Sequence, residues 1–201
     1  NVSMAKGLSG QLSAAEGKKL MLASDKLKKS QIYIDDSSRV TPAEILSKCR
    51  RLKTVAGGVD MIMIDYIQLM TSGDSNMAGS ENRQQEVASI TRDLKIMAKE
   101  LNVPVIALSQ LRRIQSKEPQ LSDLRESGAI EQDADVVGFI FRPAYYGLDR
   151  IETLKYGNIS TSGLGIINIA KQRDGATGLV AFSHNPSMTK IGDFQENKTP
   201  F

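Results

Sequence analysis

The sequence predicts an α/β protein with a mostly parallel sheet and an antiparallel hairpin toward its C-terminal end. Three observations carry this. Short runs that are apolar without alternation, "DMIMID" (60–65), "VPVIAL" (103–108) and "DVVGFIF" (135–141), read as strands covered on both faces. Between the first two lies a helical stripe, with Val87, Ile90, Leu94, Met97 and Leu101 at three- and four-residue spacing. The last two runs, "GIINIA" (165–170) and "LVAFS" (179–183), are too close for a helical crossover and should pair antiparallel.

In chain order, residues 13–29 read as an amphipathic helix with Leu20, Ala23 and Leu27 on its apolar stripe. "IYIDDSS" (32–38) reads as a short strand entering a polar turn. "TPAE" follows: Thr41 can cap a helix, Pro42 suits its first position, and Glu44 completes a capping box. That helix should run from 42 to about 55 and stop at Gly57 and Gly58. After the strand at 60–65 comes a polar loop, "TSGDSNMAGS", and then the helix at 82–101. Residues 143–163 read as a long loop. The Asp-Gly and Thr-Gly pairs of "KQRDGATG" signal a turn between the last two strands. The single histidine, His184, falls in a late turn and reads as a surface residue.

Composition bounds the function. The chain has 201 residues, 40% of them hydrophobic, which is enough for one domain with its own core. Its apolar stretches are strand-sized, so none spans a membrane. One cysteine, Cys49, cannot form an internal disulfide, which fits a reducing, cytoplasmic setting. The formal charge of +3 does not by itself indicate a nucleic-acid partner. Basic clusters occur at Lys26, Lys28 and Lys29, at Arg50, Arg51 and Lys53, and at Arg112 and Arg113; each also suits a solvated helix end. The chain starts at Asn1 rather than Met, which is expected of a piece of a longer protein.

Four stretches carry chemistry. The strand at 60–65 ends on Asp65, and a carboxylate just past a buried parallel strand sits at the sheet edge where α/β proteins bind ligands. There it can hold Mg²⁺ beside nucleotide phosphates; it can equally cap a turn. The strand at 103–108 leads to Ser109 and Gln110 on the same expected edge, where an amide can sense a γ-phosphate or orient a water. Lys171 and Arg173 are two apart in an extended segment, so both point to one side, as a phosphate would require. "LSDLRESGAIEQDAD" (121–135) holds five acids and one Arg, and its charge should repel nucleic acid. No P-loop is found. "EGKKL" (16–20) is the nearest approach, but Leu12 stands where the first Gly belongs and Lys19 where Ser or Thr belongs.

Taken together, "IDYIQLM", "RQQEVASITRDLKIMAKELNVPVIALSQLRR", "LSDLRESGAIEQDADVV" and "AKQRDGATG" closely resemble the DnaB family of replicative DNA helicases. The resemblance runs from about residue 31 to 192. It implies a RecA-like three-layer ATPase core, a hexameric ring of identical subunits, and ATP-driven movement on single-stranded DNA. It implies that Asp65 binds Mg²⁺ with ATP and that Gln110 senses the γ-phosphate. Lys171 and Arg173 match the basic pair that reaches a neighbouring subunit's ATP. Arg125, Glu126 and Gly128 match the channel loop whose side chains and backbone amides follow DNA phosphates. Arg83 could line the same channel.

The resemblance also places the phosphate loop, the catalytic glutamate and a primase-contacting domain upstream of Asn1. The expectation is therefore one partial RecA-like domain lacking its N-terminal P-loop unit: a helical lead-in over 1–30, a core over 31–192 and a tail over 193–201. ATP and Mg²⁺ are the implied cofactors. Single-stranded DNA, other copies of the chain, primase and a helicase loader are the implied partners. The 201 residues alone should not hydrolyse ATP. Two other readings fit the residues: a recombination ATPase of the RecA or RadA kind, and a DNA-binding or assembly module without catalysis.

Overall fold

The computed structural model describes residues 2, 4–73, 80–111, 118–124, 128–153, 156–185 and 190–195. The chain divides into two compact units, Asn1–Ser37 and Ser38–Phe201.

The first unit holds two helices, α1 (Met4–Leu8) and α2 (Ala14–Lys28). Helix α2 begins at a capping box: Ser13 accepts from the Glu16 N–H, and the Glu16 carboxylate accepts from the Ser13 N–H. These bonds to Ser13 hold the Glu16 carboxyl below its usual range. Gly17 sits inside this helix, so "EGKKL" is no phosphate loop. Two expectations fail here. Helix α2 buries no residue, and Leu20 and Leu27 of its stripe are exposed. Residues 32–38 form no strand. A lone extended segment leaves its backbone groups without ladder partners, and no described strand lies beside this one. The polar turn is present, with Asp35 accepting from the Ser37 N–H at 3.1 Å.

The second unit begins with α3 (Pro42–Ala56). Thr41 and Glu44 form the expected box, with the Thr41 N–H donating to Glu44 Oε2 at 2.8 Å. Gly57 ends the helix at φ 84°, a left-handed conformation that glycine adopts without a Cβ penalty. Then come β1 (Ile62–Ile64), α4 (Ser80–Leu101) and β2 (Val105–Ala107). Strands β1 and β2 pair in parallel, Ile64 opposite Ala107. Helix α4 provides the crossover between them and buries Val87, Ile90, Leu94 and Met97 against Ile62, Ile64, Ile67, Met70 and Cys49. Each such side chain contributes about 1.5–3 kcal/mol by leaving water. Burial also pushes the Cys49 thiol pKa up.

The rest is α5 (Gly128–Asp133), β3 (Val136–Phe141), β4 (Arg150–Thr153), β5 (Gly157–Ser160), β6 (Leu164–Gln172), β7 (Gly178–His184) and β8 (Ile191–Asp193). Strands β3, β6, β7 and β8 form one antiparallel sheet in the order β3-β6-β7-β8. The α/β class holds, and the antiparallel part extends well beyond the expected hairpin. The region 143–163, expected as a loop, contains the β4–β5 hairpin. Ile151 and Ile159 face each other across it and pack on the second core of Phe141, Leu164, Ile166 and Ala181.

The expectation of strands covered on both faces also needs correction. Strand β1 alternates: Ile62 and Ile64 are buried, while Met63 is 61% exposed. Ile106, Val136, Ile140 and Val180 are likewise exposed. Helices cover one face of the β1–β2 pair and leave the other face apolar and open. His184 departs in the other direction. It ends β7 at 5% exposure, its ring near Phe182 and its Nδ1 2.9 Å from the Asn185 carbonyl oxygen.

Candidate functional site

The parallel pairing puts the ends of β1 and β2 on one edge. Asp65 directly follows β1, and Ser109 and Gln110 follow β2. The strands stay joined past their last paired residues: Leu108 N–H donates to the Ile64 carbonyl at 2.9 Å, and Ile67 N–H donates to the Leu108 carbonyl at 2.9 Å. The Asp65–Tyr66 peptide is cis. Asp65 and Gln110 are both exposed, open to a ligand along the edge.

A further residue at this edge was not singled out from sequence. Gln68 sits in the single helical turn Ile67–Leu69. Its Nε2 donates to Ser109 Oγ at 3.0 Å and to the Gln110 carbonyl at 3.3 Å, and its Oε1 accepts from the Gln110 N–H at 3.2 Å. The signal was present in "IDYIQLM" as a polar side chain within an apolar segment.

Arg83 lies on the first turns of α4. Its guanidinium donates to the Gln68 carbonyl at 2.9 Å and the Met70 carbonyl at 3.3 Å, and pairs with Glu86. Glu86 in turn accepts from the Ser72 N–H at 3.2 Å. A guanidinium engaged in this way holds residues 68–72 to α4.

Lys171 and Arg173 come together at the end of β6, and both meet the C-terminal end of α5. Lys171 Nζ donates to the Glu131 carbonyl and, at 3.4 Å, to the Gln132 carbonyl. Arg173 donates to the Gln132 carbonyl at 3.3 Å and lies 3.3 Å from the Asp135 carboxylate. Cations suit a helix C-terminus, where unpaired carbonyls concentrate partial negative charge. Asp135 also pairs with Lys95. The Lys95 hydrogen bond, helped by the nearby Arg173 and Lys171 charges, holds its carboxyl below the usual carboxylate range.

Most of the acids in 121–135 turn out to have local partners. Asp123 accepts from the Gln120 N–H at 2.8 Å, and Asp133 accepts from Thr91 Oγ1 at 2.9 Å, joining α5 to α4. With Asp135 held by Lys95 and Arg173, three of the five carboxylates serve the fold. Gly128 opens α5 and is exposed. Arg125 and Glu126 lie outside the described residues, as do Arg112 and Arg113.

A nucleotide with its Mg²⁺ fits this donor set. Among the described residues no group of three His, Cys, Asp or Glu side chains could hold a metal unaided. Mg²⁺ does not need one, since it keeps several waters and binds through one or two carboxylates together with substrate phosphates. The exposed Asp65 carboxylate supplies that requirement.

Comparison with known proteins bears on the family. The family model described as "DnaB-like helicase C terminal domain" matches residues 1–193. The match therefore reaches further toward the N-terminus than the resemblance read from motifs. The chain is 47% identical over 176 residues to the replicative DNA helicase DnaB of Geobacillus stearothermophilus, covering 85% of this chain and 36% of that protein. It is 47% identical over 181 residues to the replicative DNA helicase DnaC of Bacillus subtilis (strain 168), covering 87% and 36%. It thus spans about a third of the length of these relatives.

Among solved structures, one described as an ATPase domain superposes with a TM-score of 0.82 at 36% identity, covering 96% of this chain and 66% of that one. A DnaB-like replicative helicase, solved for its interactions with primase, superposes with a TM-score of 0.77 at 36% identity, covering 92% and 43%. These relatives give no support to the recombination-ATPase reading. Among the described residues no helix is long and apolar enough to cross a membrane.

Proposed function

The chain belongs to the DnaB-like helicase C-terminal domain family, and we propose that it forms part of an ATP-driven motor that moves on single-stranded DNA and separates duplex strands. The observation that carries this is the shared edge: Asp65 and Gln110 follow two parallel strands at the same end, and Gln68 joins the two segments. In this reading the motor is a hexameric ring of identical subunits working in the cytoplasm. Primase and a helicase loader are its outside partners.

Asp65 holds Mg²⁺, through water or directly, next to the ATP phosphates. The ion that Asp65 would hold would supply positive charge against the phosphates, the chemistry phosphoryl transfer needs. Gln110 presents its amide to the γ-phosphate and passes the nucleotide's state to β2. Lys171 and Arg173 face a neighbouring subunit's nucleotide, where a bidentate guanidinium suits a phosphate. Arg125, Glu126 and Gly128 belong to the loop that follows the DNA. There backbone donors and one Arg can hold phosphates despite the acidic sequence, and the local partners of Asp123, Asp133 and Asp135 lessen the repulsion. We assign Arg83 to bracing this edge in preference to a DNA contact.

The 201 residues contain no Gly-x-x-x-x-Gly-Lys-Ser/Thr loop. Taken alone, they lack the backbone cradle that binds phosphates. The isolated chain is therefore expected to bind ATP poorly and to release no phosphate. The deciding experiment uses a helicase containing this domain. Asp65→Asn should abolish Mg²⁺-dependent, DNA-stimulated ATP turnover while the ring still assembles. Wild-type turnover in that variant would overturn the proposal.

A further inference from the structure

We infer that Gln68 is a positioning residue for the nucleotide-sensing strand: its side-chain amide holds the Gln110 main chain, and Arg83 holds Gln68. This rests on the proposed ATPase reading of the edge and adds a residue to it.

Strand β2 ends at Ala107, and among the described residues the last ladder bonds of this segment are those of Leu108. Gln68 takes over there. One amide meets both main-chain groups of Gln110, accepting from its N–H at 3.2 Å and donating to its carbonyl at 3.3 Å. A neighbouring strand would offer the same donor and acceptor pair. The other Nε2 hydrogen reaches Ser109 Oγ at 3.0 Å. Two donations and one acceptance from a single side-chain end require a primary amide, with its NH₂ and carbonyl oxygen, which restricts the position to Asn or Gln. Asn is one carbon shorter.

The Gln68 main chain is itself secured. Its carbonyl accepts from Arg83 at 2.9 Å, and Arg83 is paired to Glu86 one turn along α4. The path α4–Gln68–Gln110 is thus continuous in hydrogen bonds. It joins the segment after Asp65 to the segment carrying Gln110. If the γ-phosphate pulls on Gln110, the pull reaches the Asp65 loop and α4 through Gln68. Catalytic groups must be held closely, since a misplacement of about 1 Å can cost on the order of 100-fold in rate.

The test is a double-mutant cycle in a helicase containing this domain, read as kcat and KM for ATP. Gln68→Leu should lower kcat by about tenfold or more with a much smaller change in KM. Because Gln68 acts through Gln110, adding Gln68→Leu to Gln110→Ala should cost nothing further. Gln68→Glu, which keeps the shape but loses the donor, should behave like Gln68→Leu and guards against a packing defect. Full additivity overturns the inference. So does wild-type kcat in both Gln68 variants while Gln110→Ala is impaired.

If Gln110→Ala itself turns over at the wild-type rate, the ATPase reading of Gln110 fails instead. The brace is then judged on the isolated chain by amide exchange. The Gln110 N–H should exchange several-fold faster in Gln68→Leu than in wild type, as loss of one hydrogen bond predicts. Equal exchange rates overturn the brace.

Discussion

Arg173 and Asp135 are joined twice. The Arg173 N–H donates to the Asp135 carbonyl at 2.8 Å, and its guanidinium lies 3.3 Å from the same residue's carboxylate. The main-chain bond continues the pairing of β3 with β6 by one residue beyond Val136 and Gln172. The pair leaves the Arg173 side chain 50% exposed. Arg173 is therefore anchored through its backbone while half of its side-chain surface faces solvent. The Lys95 pair and the Lys171 charge act on the same carboxylate.

This cluster predicts a pH dependence. The folded pKa of Asp135 is lowered, mainly by the Lys95 hydrogen bond. A lowered folded pKa contributes stability that is complete above the unfolded value, about 3.9, and is lost as pH falls through the folded one. The stability difference between wild type and Asp135→Asn should be constant near neutrality and shrink below about pH 4. Because the carboxylate is largely exposed, the difference should stay within about 0.2–1 kcal/mol for a pair of this kind. Urea melts of both proteins across that range would measure it. A difference that grows on acidification contradicts the assignment.

Gly165 predicts a packing effect. It lies opposite Phe182 in the β6–β7 register. A Cβ added there would come within 2.1 Å of the Phe182 ring, so the ring lies directly over the glycine. Gly165→Ala should therefore destabilise by about 1–3 kcal/mol, the usual range for overpacking. The same change made in a Phe182→Ala background should cost much less, because the clashing ring is gone. Thermal melts of the four proteins test both statements. Equal cost in the two backgrounds would place the strain elsewhere.

The capped helix gives a simpler expectation. Thr41 Oγ1 accepts from the Glu44 N–H at 3.2 Å, and Glu44 Oε2 accepts from the Thr41 N–H at 2.8 Å. Thr41→Ala removes the first bond and should cost about 0.5–2 kcal/mol. Thr41→Ser keeps the acceptor and should cost distinctly less. Urea midpoints of the two variants are the measurement, and equal losses would mean that the hydroxyl is not the cap.

Elements set by local chemistry were legible from the residues alone. Helix α3 is framed by Thr41, Pro42 and Glu44 at one end and Gly57 at the other, all within one stretch of chain. Helix α4 declares its buried face through spacing, and Ile90 in the middle of that stripe is 0% exposed. What depends on distant partners was harder to read. The apolar run 32–34 resembles a strand but has no described neighbour to pair with. The β4–β5 hairpin was hidden because its apolar contribution is only Ile151 and Ile159, set among polar residues. At the site, Asp65 and Gln110 were legible because each ends an apolar run. Gln68 and Arg83 were not read as a brace, since a side chain bonded to a main-chain group forty-two residues away leaves no periodic mark. The acids of 121–135 were puzzling for the same reason: Thr91, Lys95 and Arg173 are distant in sequence and near only in the fold.

Arg173 is expected to act beyond its own chain. Within the chain it and Lys171 hold the carbonyl end of α5. In the proposed motor they also face a neighbouring subunit's ATP. A cation near the γ-phosphate stabilises charge that develops in the transition state, which in related motors is worth on the order of 10³-fold or more. In a helicase containing this domain, Arg173→Ala should then lower turnover far more than it lowers ATP affinity. Mixed rings make the demand sharper. A ring built from Asp65→Ala and Arg173→Ala subunits should keep some activity, because the intact Arg173 of one subunit can serve the intact Asp65 of its neighbour. Activity that tracks only subunits carrying both residues in the same chain would mean that Arg173 acts in cis. A purely local role at the end of α5 predicts another outcome: a lower melting temperature with turnover per folded ring unchanged. Kinetics and melting curves measured on the same preparations therefore distinguish all three. Retained activity in the mixed ring, with no more than the small drop in melting temperature that loss of the exposed Asp135 and Gln132 contacts predicts, is the expected result.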